Sequence, residues 1–446
     1  MLPDYLFWDG ALRPGLALEV DDAGRVVRAS NARSGTEVER LPGRALLPGL
    51  VNAHSHAFQR LLRGRAEGAS SRGADASDFW TWREAMYRVA EALEPEDIYL
   101  ASRQAFVEMA LAGITCVGEF HYLHRDREGR AYADVNETSR QVIRAAREVG
   151  IRIVLLRAAY ARAGFRAREE PRQRRFIDGD VEDALRAAEA LRGAVRFDDG
   201  VTVGIAPHSV RAVPRPWLEQ IATGWDGVVH MHVAEQTAEV EACLQEYGRR
   251  PGEVCADVGL LGPRFTAVHA IHVSREEIAA LGAAGANVCA CPSTERTLGD
   301  GVIPADALRA AGAHLALGSD SQAVIDLLEE ARQVELHLRL VRQRRGLLDA
   351  AELLGAATEG GARSLGVPVG ALRSGAPADF ISVDLRHPSL VGTTGDALLP
   401  AIVFGARPEA VREVYVGGKP VVRDGRHVLQ EESGRAFSAL AGRVLE

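Results

Sequence analysis

Lysine is almost absent from this sequence. Lys419 is the only one among 53 lysine and arginine residues, and the 446-residue chain carries a formal net charge of −8. Proteins that bind nucleic-acid backbones usually carry a strongly basic surface. The charge balance therefore favours a small-molecule substrate and indicates no nucleic-acid partner.

Cysteine and long apolar runs are also scarce. The five cysteines are an odd number, are widely spread and form no CxxC pair, which argues against a disulfide framework or a structural zinc knot. No run of about 18 apolar residues occurs, so no membrane span is expected. The start of the chain carries Asp4 and Asp9 in place of the basic and apolar regions of an export signal. The sequence predicts a cytoplasmic protein with no membrane partner.

Ordinary globular composition, with 47% hydrophobic and 26% charged residues, leaves room for a large core. Between the chain ends, short β-branched or apolar runs alternate with helical stretches rich in Ala, Leu, Arg and Glu, which is typical of repeated βα units. Eight such runs predict an α/β fold, a distorted (β/α)8 TIM barrel. The predicted strands are 45–51, 114–120, 152–158, 201–206, 227–233, 265–270, 286–290 and 314–318.

Both chain ends differ from this middle region. Residues 1–46 and 367–446 contain short strands separated by turns such as Gly417-Gly418. We expect these two segments to pair into a small β-sandwich domain, and residues 47–366 to form the barrel domain.

Histidines lie at the ends of two predicted strands. His54 and His56 are two apart, so their side chains project from the same strand face into the barrel mouth. His232 closes the fifth strand in the same way and is interpreted as a metal ligand. His230, deeper in that strand, is expected to be a hydrogen-bonded interior residue.

Three further polar residues follow strands five, six and eight. Glu235 comes three residues after His232, His269 ends strand six, and Asp320 follows strand eight. Asp320 could instead cap a helix that begins near Ala323. Because catalytic groups of such barrels gather at the carboxyl ends of the strands, we favour a shared site.

Imidazoles with one carboxylate and an open position are typical of a catalytic divalent metal site, and zinc is the expected ion. Such an ion lowers the pKa of water to about 7, and Glu235 would carry the proton to a leaving nitrogen. A second metal at His121, His124 or the Cys289 and Cys291 pair is disfavoured, because no complete ligand set accompanies them.

The order of these residues resembles that of the amidohydrolase superfamily, and the His-x-x-Glu spacing resembles its mononuclear deaminase branch. The resemblance implies a β-sandwich plus barrel fold, a metal held by His54, His56, His232 and Asp320, and catalysis by Glu235, His269 and Asp320. Its binuclear branches bridge two metals with a carboxylated barrel lysine. The predicted barrel has no lysine, so one metal is expected.

Within that branch the chain is similar to the N-formimino-L-glutamate deiminase family of histidine degradation. The matching stretches are NAHSHAFQR at 52–60, FWTWR at 79–83, GEFHY at 118–122, HSVRA at 208–212 and LGDG at 298–301. The resemblance implies a dicarboxylate substrate and a homodimer. The implied contacts are Gln59, Tyr122, His208 and Arg211 to the α-carboxylate, with Arg83, expected in a loop over the site, for the other carboxylate. Arginine offers a planar fork that suits such groups.

One residue departs from the family pattern, and two alternatives stay open. Gln322 stands where a histidine is expected, which bears on substrate selection at that loop. A rival function is deamination of a heterocycle such as guanine or cytosine by the same fold and metal. A barrel that has lost its activity and serves as an interaction protein is the second rival, because fold alone does not fix function.

Overall fold

The computed structural model describes residues 1–31, 38–65, 79–167 and 170–445, and for residues 79–81 it describes the backbone alone. Among these residues, no helix combines the length and the apolar character that crossing a membrane requires. The five cysteines are all buried and free.

Strands are concentrated at the two chain ends and alternate with helices between them. The strands of the described residues are β1 (Leu2–Trp8), β2 (Ala11–Pro14), β3 (Leu16–Val20), β4 (Val26–Asn31), β5 (Arg40–Pro48), β6 (Leu50–Ser55), β7 (Ile114–His121), β8 (Arg152–Ala159), β9 (Val201–Pro207), β10 (Val229–Val233), β11 (Phe265–His269), β12 (Asn287–Ala290), β13 (His314–Leu317), β14 (Phe380–Asp384), β15 (Val411–Val416), β16 (Lys419–Arg423) and β17 (Arg426–His427).

Helices follow most of the strands from β6 onward. They are α1 (Phe79–Ala92), α2 (Pro95–Leu111), α3 (Glu137–Val149), α4 (Val181–Val195), α5 (Arg215–Gly224), α6 (Thr237–Tyr247), α7 (Pro251–Asp257), α8 (Arg275–Ala283), α9 (Pro292–Leu298), α10 (Ala305–Ala311), α11 (Leu327–Arg342), α12 (Ala350–Gly355), a π-helical turn at Ala356–Gly360, α13 (Gly361–Leu365), α14 (Leu398–Gly405) and α15 (Gln430–Leu445).

Eight parallel strands, β6 to β13, lie side by side in chain order and form a nearly closed barrel. Crossover helices cover parallel strands from outside, which is why these strands are almost wholly buried runs rather than alternating ones. The ladder between β9 and β10 is reduced to one pair, Ile205 with Val229, so the barrel is distorted there. The predicted distorted (β/α)8 fold is confirmed.

The prediction for the first barrel strand is wrong. Residues 45–48 belong to β5, which pairs with β14 and β1 in the other sheet, and the barrel strand β6 begins at Leu50. Gly49 connects β5 of one sheet to β6 of the other. A side chain does not fit there, because a Cβ on residue 49 would lie 2.3 Å from the Thr115 hydroxyl. The apolar pattern is continuous across both strands because both are buried, so it cannot show the change of sheet.

The chain ends build a second, mixed sheet with the order β17-β16-β15-β14-β5-β1-β2. The two-stranded ribbon of β3 and β4 packs against it through a small apolar cluster that includes Leu6, Leu18, Val26, Leu46 and Phe380. This is the expected sandwich of both termini. The exact domain limits at residues 46 and 367 stay a prediction.

Among the described residues, one backbone bridge joins β6 to the residues after β13 and closes the barrel. Ser55 pairs with Asp320, the Asp320 amide donates to the His54 carbonyl at 3.0 Å, and the His56 amide donates to the Asp320 carbonyl at 3.0 Å. Gly318 allows this approach, because a Cβ there would lie 2.7 Å from that of His54. We call these contacts the closing seam.

A buried ion pair joins the barrel to the mixed sheet and gives a test of the fold. Arg152 of β8 donates to both oxygens of Asp379 at 2.7 and 3.2 Å, and the two side chains are 16% and 1% exposed. Asp379→Ala would leave a largely buried guanidinium unpaired, so the free energy of unfolding in urea should fall by about 3 kcal/mol.

The matched control is Glu19→Ala, which breaks the Arg28–Glu19 pair, whose side chains are 61% and 50% exposed. Solvent-exposed pairs contribute little, so this variant should unfold like the wild type. Equal midpoints for both variants would contradict the assigned role of Asp379.

Candidate metal and active site

Four predicted ligands meet at the carboxyl end of the barrel. One ligand atom from each of His54, His56, His232 and Asp320 lies within 4.8 Å of the others, and all four residues are buried. The Nε2 atom of His54 is 3.1 Å from Asp320 Oδ1 and 3.2 Å from His232 Nε2. Strands β6 and β10 and the loop after β13 therefore bring together side chains far apart in sequence.

Backbone carbonyls fix two of the imidazoles. The Nδ1 atoms of His56 and His232 lie 2.8 and 2.9 Å from the carbonyls of Phe120 and His208. A carbonyl only accepts, so each Nδ1 carries the proton and each Nε2 presents a lone pair. These two Nε2 atoms lie 3.4 Å apart. Because neither carries a proton, no hydrogen bond joins them. Such outer hydrogen bonds typically orient metal-ligating histidines.

Burial determines the charges of this cluster. It lowers the pKa values of His54 and His56 to about 3, so both rings are neutral at pH 7. Burial alone would raise the pKa of Asp320, but its hydrogen bond with His54 and the nearby histidines hold it below its usual range. Neutral lone pairs and a carboxylate converge on one point, and this donor set fits a divalent cation.

Glu235 and His269 lie beside these ligands. The Nε2 atom of His269 is 3.6 Å from Glu235 Oε1 and 3.9 Å from Asp320 Oδ2. Burial raises the pKa of Glu235, with Asp320 adding to the shift. Burial opposes charge on His269, but Glu235, Glu295 and Asp320 outweigh it and raise its pKa well above the usual value. The pair can hold and pass a proton next to the cation site.

Several residues at these strand ends have left-handed backbones. Ala234, His269, Ala270 and Asp320 have φ values of 51°, 69°, 49° and 45°. Such conformations cost energy in residues other than glycine and occur where the surrounding structure holds a functional side chain in place. Here they turn the chain so that the side chains face the barrel axis.

Asp320 does not cap a helix. Helix α11 begins only at Leu327, and Asp326 caps it by accepting from the amides of Leu328 and Glu329. The capping alternative for Asp320 is therefore wrong, and its carboxylate faces the histidines.

Gln322, the departure from the family pattern, lies behind the ligands and outside the cleft. It is fully buried, accepts from the Ser319 hydroxyl at 2.9 Å and donates to the Ser55 hydroxyl at 2.9 Å and the Asp320 carbonyl at 2.8 Å. Ser55 in turn donates to the buried carboxyl of Glu119 at 2.5 Å. Gln322 thus braces the closing seam and does not line the cleft at its mouth.

A cleft opens above the predicted ligands. Every predicted site residue except His54 lines this cleft. Six further side chains, most of them aromatic, complete the wall. The lining is His56, Gln59, Trp82, Arg83, Met86, Tyr87, Tyr122, Tyr160, Phe176, His208, Arg211, His232, Glu235, His269, Leu298 and Asp320.

Arg211 is an unpaired cation in this cleft. Its Nη1 atom is buried without a hydrogen-bond partner, and no carboxylate of the described residues lies within ion-pair distance of its side chain. Glu239 and Glu235 lie near enough to favour the charged form of Arg211, but neither forms an ion pair with it. A partly buried charge without a paired counter-charge is stabilised when an anionic ligand binds. Nearby, Gln59 donates to the Tyr122 hydroxyl at 2.7 Å while its own Oε1 has no partner. These groups together fit an anionic ligand.

Arg83 lies on helix α1, not in the expected loop. It donates from Nε to the Tyr87 hydroxyl at 2.5 Å, and its guanidinium lies 5.0 Å from the Tyr87 ring centre. The aromatic side chains at 79–81 that precede it lie outside the described residues. The segment is therefore helical and still brings an arginine into the cleft.

Other predicted histidines lie away from the ligands. His230 Nε2 lies 2.9 Å from the Ser364 carbonyl, as expected of an interior residue. His121 contacts Thr138, and His124 contacts the Ala158 carbonyl, both outside the ligand cluster. Tyr160 was missed, although its position one residue after β8 is the signal that identified the others.

The chain matches the family model described as "Amidohydrolase family" over residues 45–421. It is 42% identical over 418 residues to formimidoylglutamate deiminase of Pseudomonas aeruginosa, covering 92% of this chain and 91% of the relative. It is 31% identical over 458 residues to 5-methylthioadenosine/S-adenosylhomocysteine deaminase of Halobacterium salinarum, covering 100% of this chain and 97% of the relative.

Solved structures with a similar fold include members of the same family. An amidohydrolase from Brucella melitensis superposes with a TM-score of 0.92 at 35% identity, covering 100% of this chain and 99% of the other. An adenosine deaminase from Xanthomonas campestris with bound zinc superposes at 0.84 and 25% identity, covering 99% and 97%. With these matches and the ligand cluster, the chain is an enzyme that hydrolyses carbon–nitrogen bonds other than peptide bonds, and it belongs to the amidohydrolase family.

Proposed function

We propose that this enzyme converts N-formimino-L-glutamate and water to N-formyl-L-glutamate and ammonia, as a step of histidine degradation in the cytoplasm. The observation that carries this proposal is Arg211, whose buried Nη1 atom has no hydrogen-bond partner, in the same cleft as Glu235 and Asp320. The similarity to a deiminase over 92% of the chain supports it. One zinc ion and a homodimer are part of the proposal.

The substrate matches the charge distribution of the cleft. Its two carboxylates need cationic and hydroxyl donors, which Arg211, Arg83 and Tyr122 supply. Its formimino group is an amidine, which carries positive charge in water, and Glu235 with Asp320 forms the acidic side of the same cleft. The reacting group is therefore drawn to the carboxylates while the arginines hold the other end.

A divalent ion bound by His54, His56, His232 and Asp320 would lower the pKa of water to about 7 and so make hydroxide available at neutral pH. Glu235 accepts the proton of the attacking water and returns it to the departing nitrogen. A carbon–oxygen bond forms at the formimino carbon, and the bond from that carbon to the terminal nitrogen breaks. His269, beside Glu235 and Asp320, stabilises the negative charge that develops on the attacking oxygen as that oxygen loses its second proton and becomes the carbonyl oxygen of the product.

A second candidate, deamination of a heterocycle such as guanine or cytosine, is favoured by the aromatic lining of the cleft. Trp82, Tyr87, Tyr160 and Phe176 could stack on a flat ring. The 31% identity to a deaminase of adenine-containing compounds points the same way. The unpaired arginine has no role in that reaction, which is why we favour the dicarboxylate.

Ammonia release decides between the two candidates. The zinc-loaded enzyme should release ammonia from N-formimino-L-glutamate and not from guanine or cytosine. N-formimino-L-aspartate, shorter by one methylene, should react more slowly because it cannot span both arginines. Turnover of a heterocycle with none of the glutamate compound would overturn the proposed substrate.

Arg211→Ala tests the carboxylate contact. Loss of a buried charged partner costs about 2–5 kcal/mol, so kcat/KM for the glutamate compound should fall by roughly 30-fold or more. The control is Arg215→Ala, four residues on, whose guanidinium pairs with Glu219 on the exposed surface of α5 and which should react like the wild type. Equal kinetics for the two variants would exclude Arg211 from substrate binding.

His232→Ala tests the metal site against a neighbour on the same strand. It removes one of four donors, so metal analysis after purification should show less than one zinc per chain and activity should be lost. The control is His230→Gln, since His230 points to the Ser364 carbonyl and should leave the zinc content unchanged. Full zinc content in His232→Ala would contradict the ligand assignment.

A further inference from the structure

Glu295 is a buried carboxylate that the proposed reaction does not use. It lies in the first turns of α9, is 2% exposed, and its Oε1 accepts from the Cys291 amide at 2.8 Å. The same oxygen lies 3.3 Å from Nδ1 of His269. A single carboxylate oxygen therefore joins the end of strand β12 to the imidazole at the end of β11.

A second metal site is the obvious alternative, because His269, Cys291 and Glu295 lie close together. Two features oppose it. The Cys291 side chain packs in an apolar cluster with Ala53, Val268, Cys289 and Ala316, and burial raises the pKa of its thiol well above the usual value. The Glu295 oxygen nearest the ring already accepts from a backbone amide. A neutral thiol and an occupied carboxylate make a poor cation site.

We propose that Glu295 is the positioning residue of His269, which it holds with the proton on Nδ1 so that Nε2 faces the reacting group. The role in catalysis rests on the proposed function. A carboxylate at Nδ1 only accepts, so the ring must donate there. The opposite nitrogen is then directed to Glu235 at 3.6 Å and Asp320 at 3.9 Å.

Backbone strain explains why the ring needs this contact. His269 and Ala270 have φ values of 69° and 49°, so the chain reverses just where the imidazole leaves it. A side chain on a strained turn keeps one orientation only if its surroundings fix it. Among the described residues, Glu295 makes the hydrogen bond that holds the ring on the side away from the reacting groups.

Helix α9 is itself braced, so Glu295 is rigid. The Ser293 amide donates to Glu330 of α11 at 2.8 Å. The next residue, Thr294, exchanges a 2.9 Å hydroxyl contact with Ser321 and accepts from its amide at 3.2 Å. One turn of α9 therefore holds both His269 and the segment that follows Asp320. Rigid support of this kind keeps reacting groups in place.

Two substitutions of Glu295 distinguish an effect on the orientation of His269 from an effect on the stability of the fold. Glu295→Leu removes the acceptor, and kcat for the glutamate compound should fall by about 10- to 100-fold, the usual loss when an outer partner of a functional histidine is removed. KM and zinc content should stay within about threefold of wild type, because the substrate and metal contacts are intact. Glu295→Gln keeps an acceptor for the Cys291 amide and for Nδ1, and should restore most of kcat.

The matched control is Glu335→Gln. Glu335 is also a buried carboxylate, but it accepts from the amides of Gly346 and Leu348 and contacts neither α9 nor His269. This variant should lower the unfolding temperature at least as much as Glu295→Gln while kcat stays near wild type. A fall in kcat that follows the unfolding temperature across all variants would show a merely structural role and overturn the proposal.

A spectroscopic measurement makes the result independent of the substrate. In protein labelled with ¹⁵N-histidine, correlation spectra should show His269 protonated at Nδ1 in the wild type, with the signal assigned by its loss in His269→Asn. A bare Nδ1 would overturn the proposal even if Glu295→Leu fails to fold. Absence of turnover by the wild type, with Nδ1 protonated, would refute the proposed function and leave the orientation of His269 established.

Discussion

The closing seam of the barrel is the constraint on which the site depends. His54 and His56 end the first barrel strand and Asp320 follows the last one, so the ligands can meet only if the barrel closes. Closure rests on backbone hydrogen bonds made by these same three residues, on the glycine at 318, and on the side-chain brace of Gln322. The hydrogen bonds that close the barrel therefore also fix the positions of the predicted ligands. This explains how a distorted barrel keeps an ordered site.

Electrostatics divides the cleft above that seam into two sides. Neutral imidazoles, Asp320 and Glu235 form a side that attracts cations, while Arg211 presents a charge that the described residues leave unpaired. Both sides are buried, so each charge is felt strongly and each is costly without a ligand. A substrate with positive and negative groups relieves both costs together, whereas a neutral heterocycle relieves neither.

Residues outside the cleft hold this arrangement. Gln322 joins Ser55 to Asp320 across the closing seam, and Glu295 links helix α9 to His269. Neither lines the cleft, but each contacts a residue that does: Gln322 donates to the Asp320 carbonyl, and Glu295 contacts the His269 ring. We therefore expect a substitution at either position to change the orientation of a reacting group rather than its identity.

The sequence by itself determined the number and order of barrel strands, because βα alternation and the 2-residue period of strands are local patterns. It also predicted that His54, His56, His232, Asp320 and Glu235 share one site, since all lie at strand ends or just after them. Only the tertiary structure decided that residues 45–48 join the other sheet, that Asp326 rather than Asp320 caps α11, and that Glu295 contacts His269. Those features depend on which distant segments pack together, and neither periodicity nor spacing carries that information.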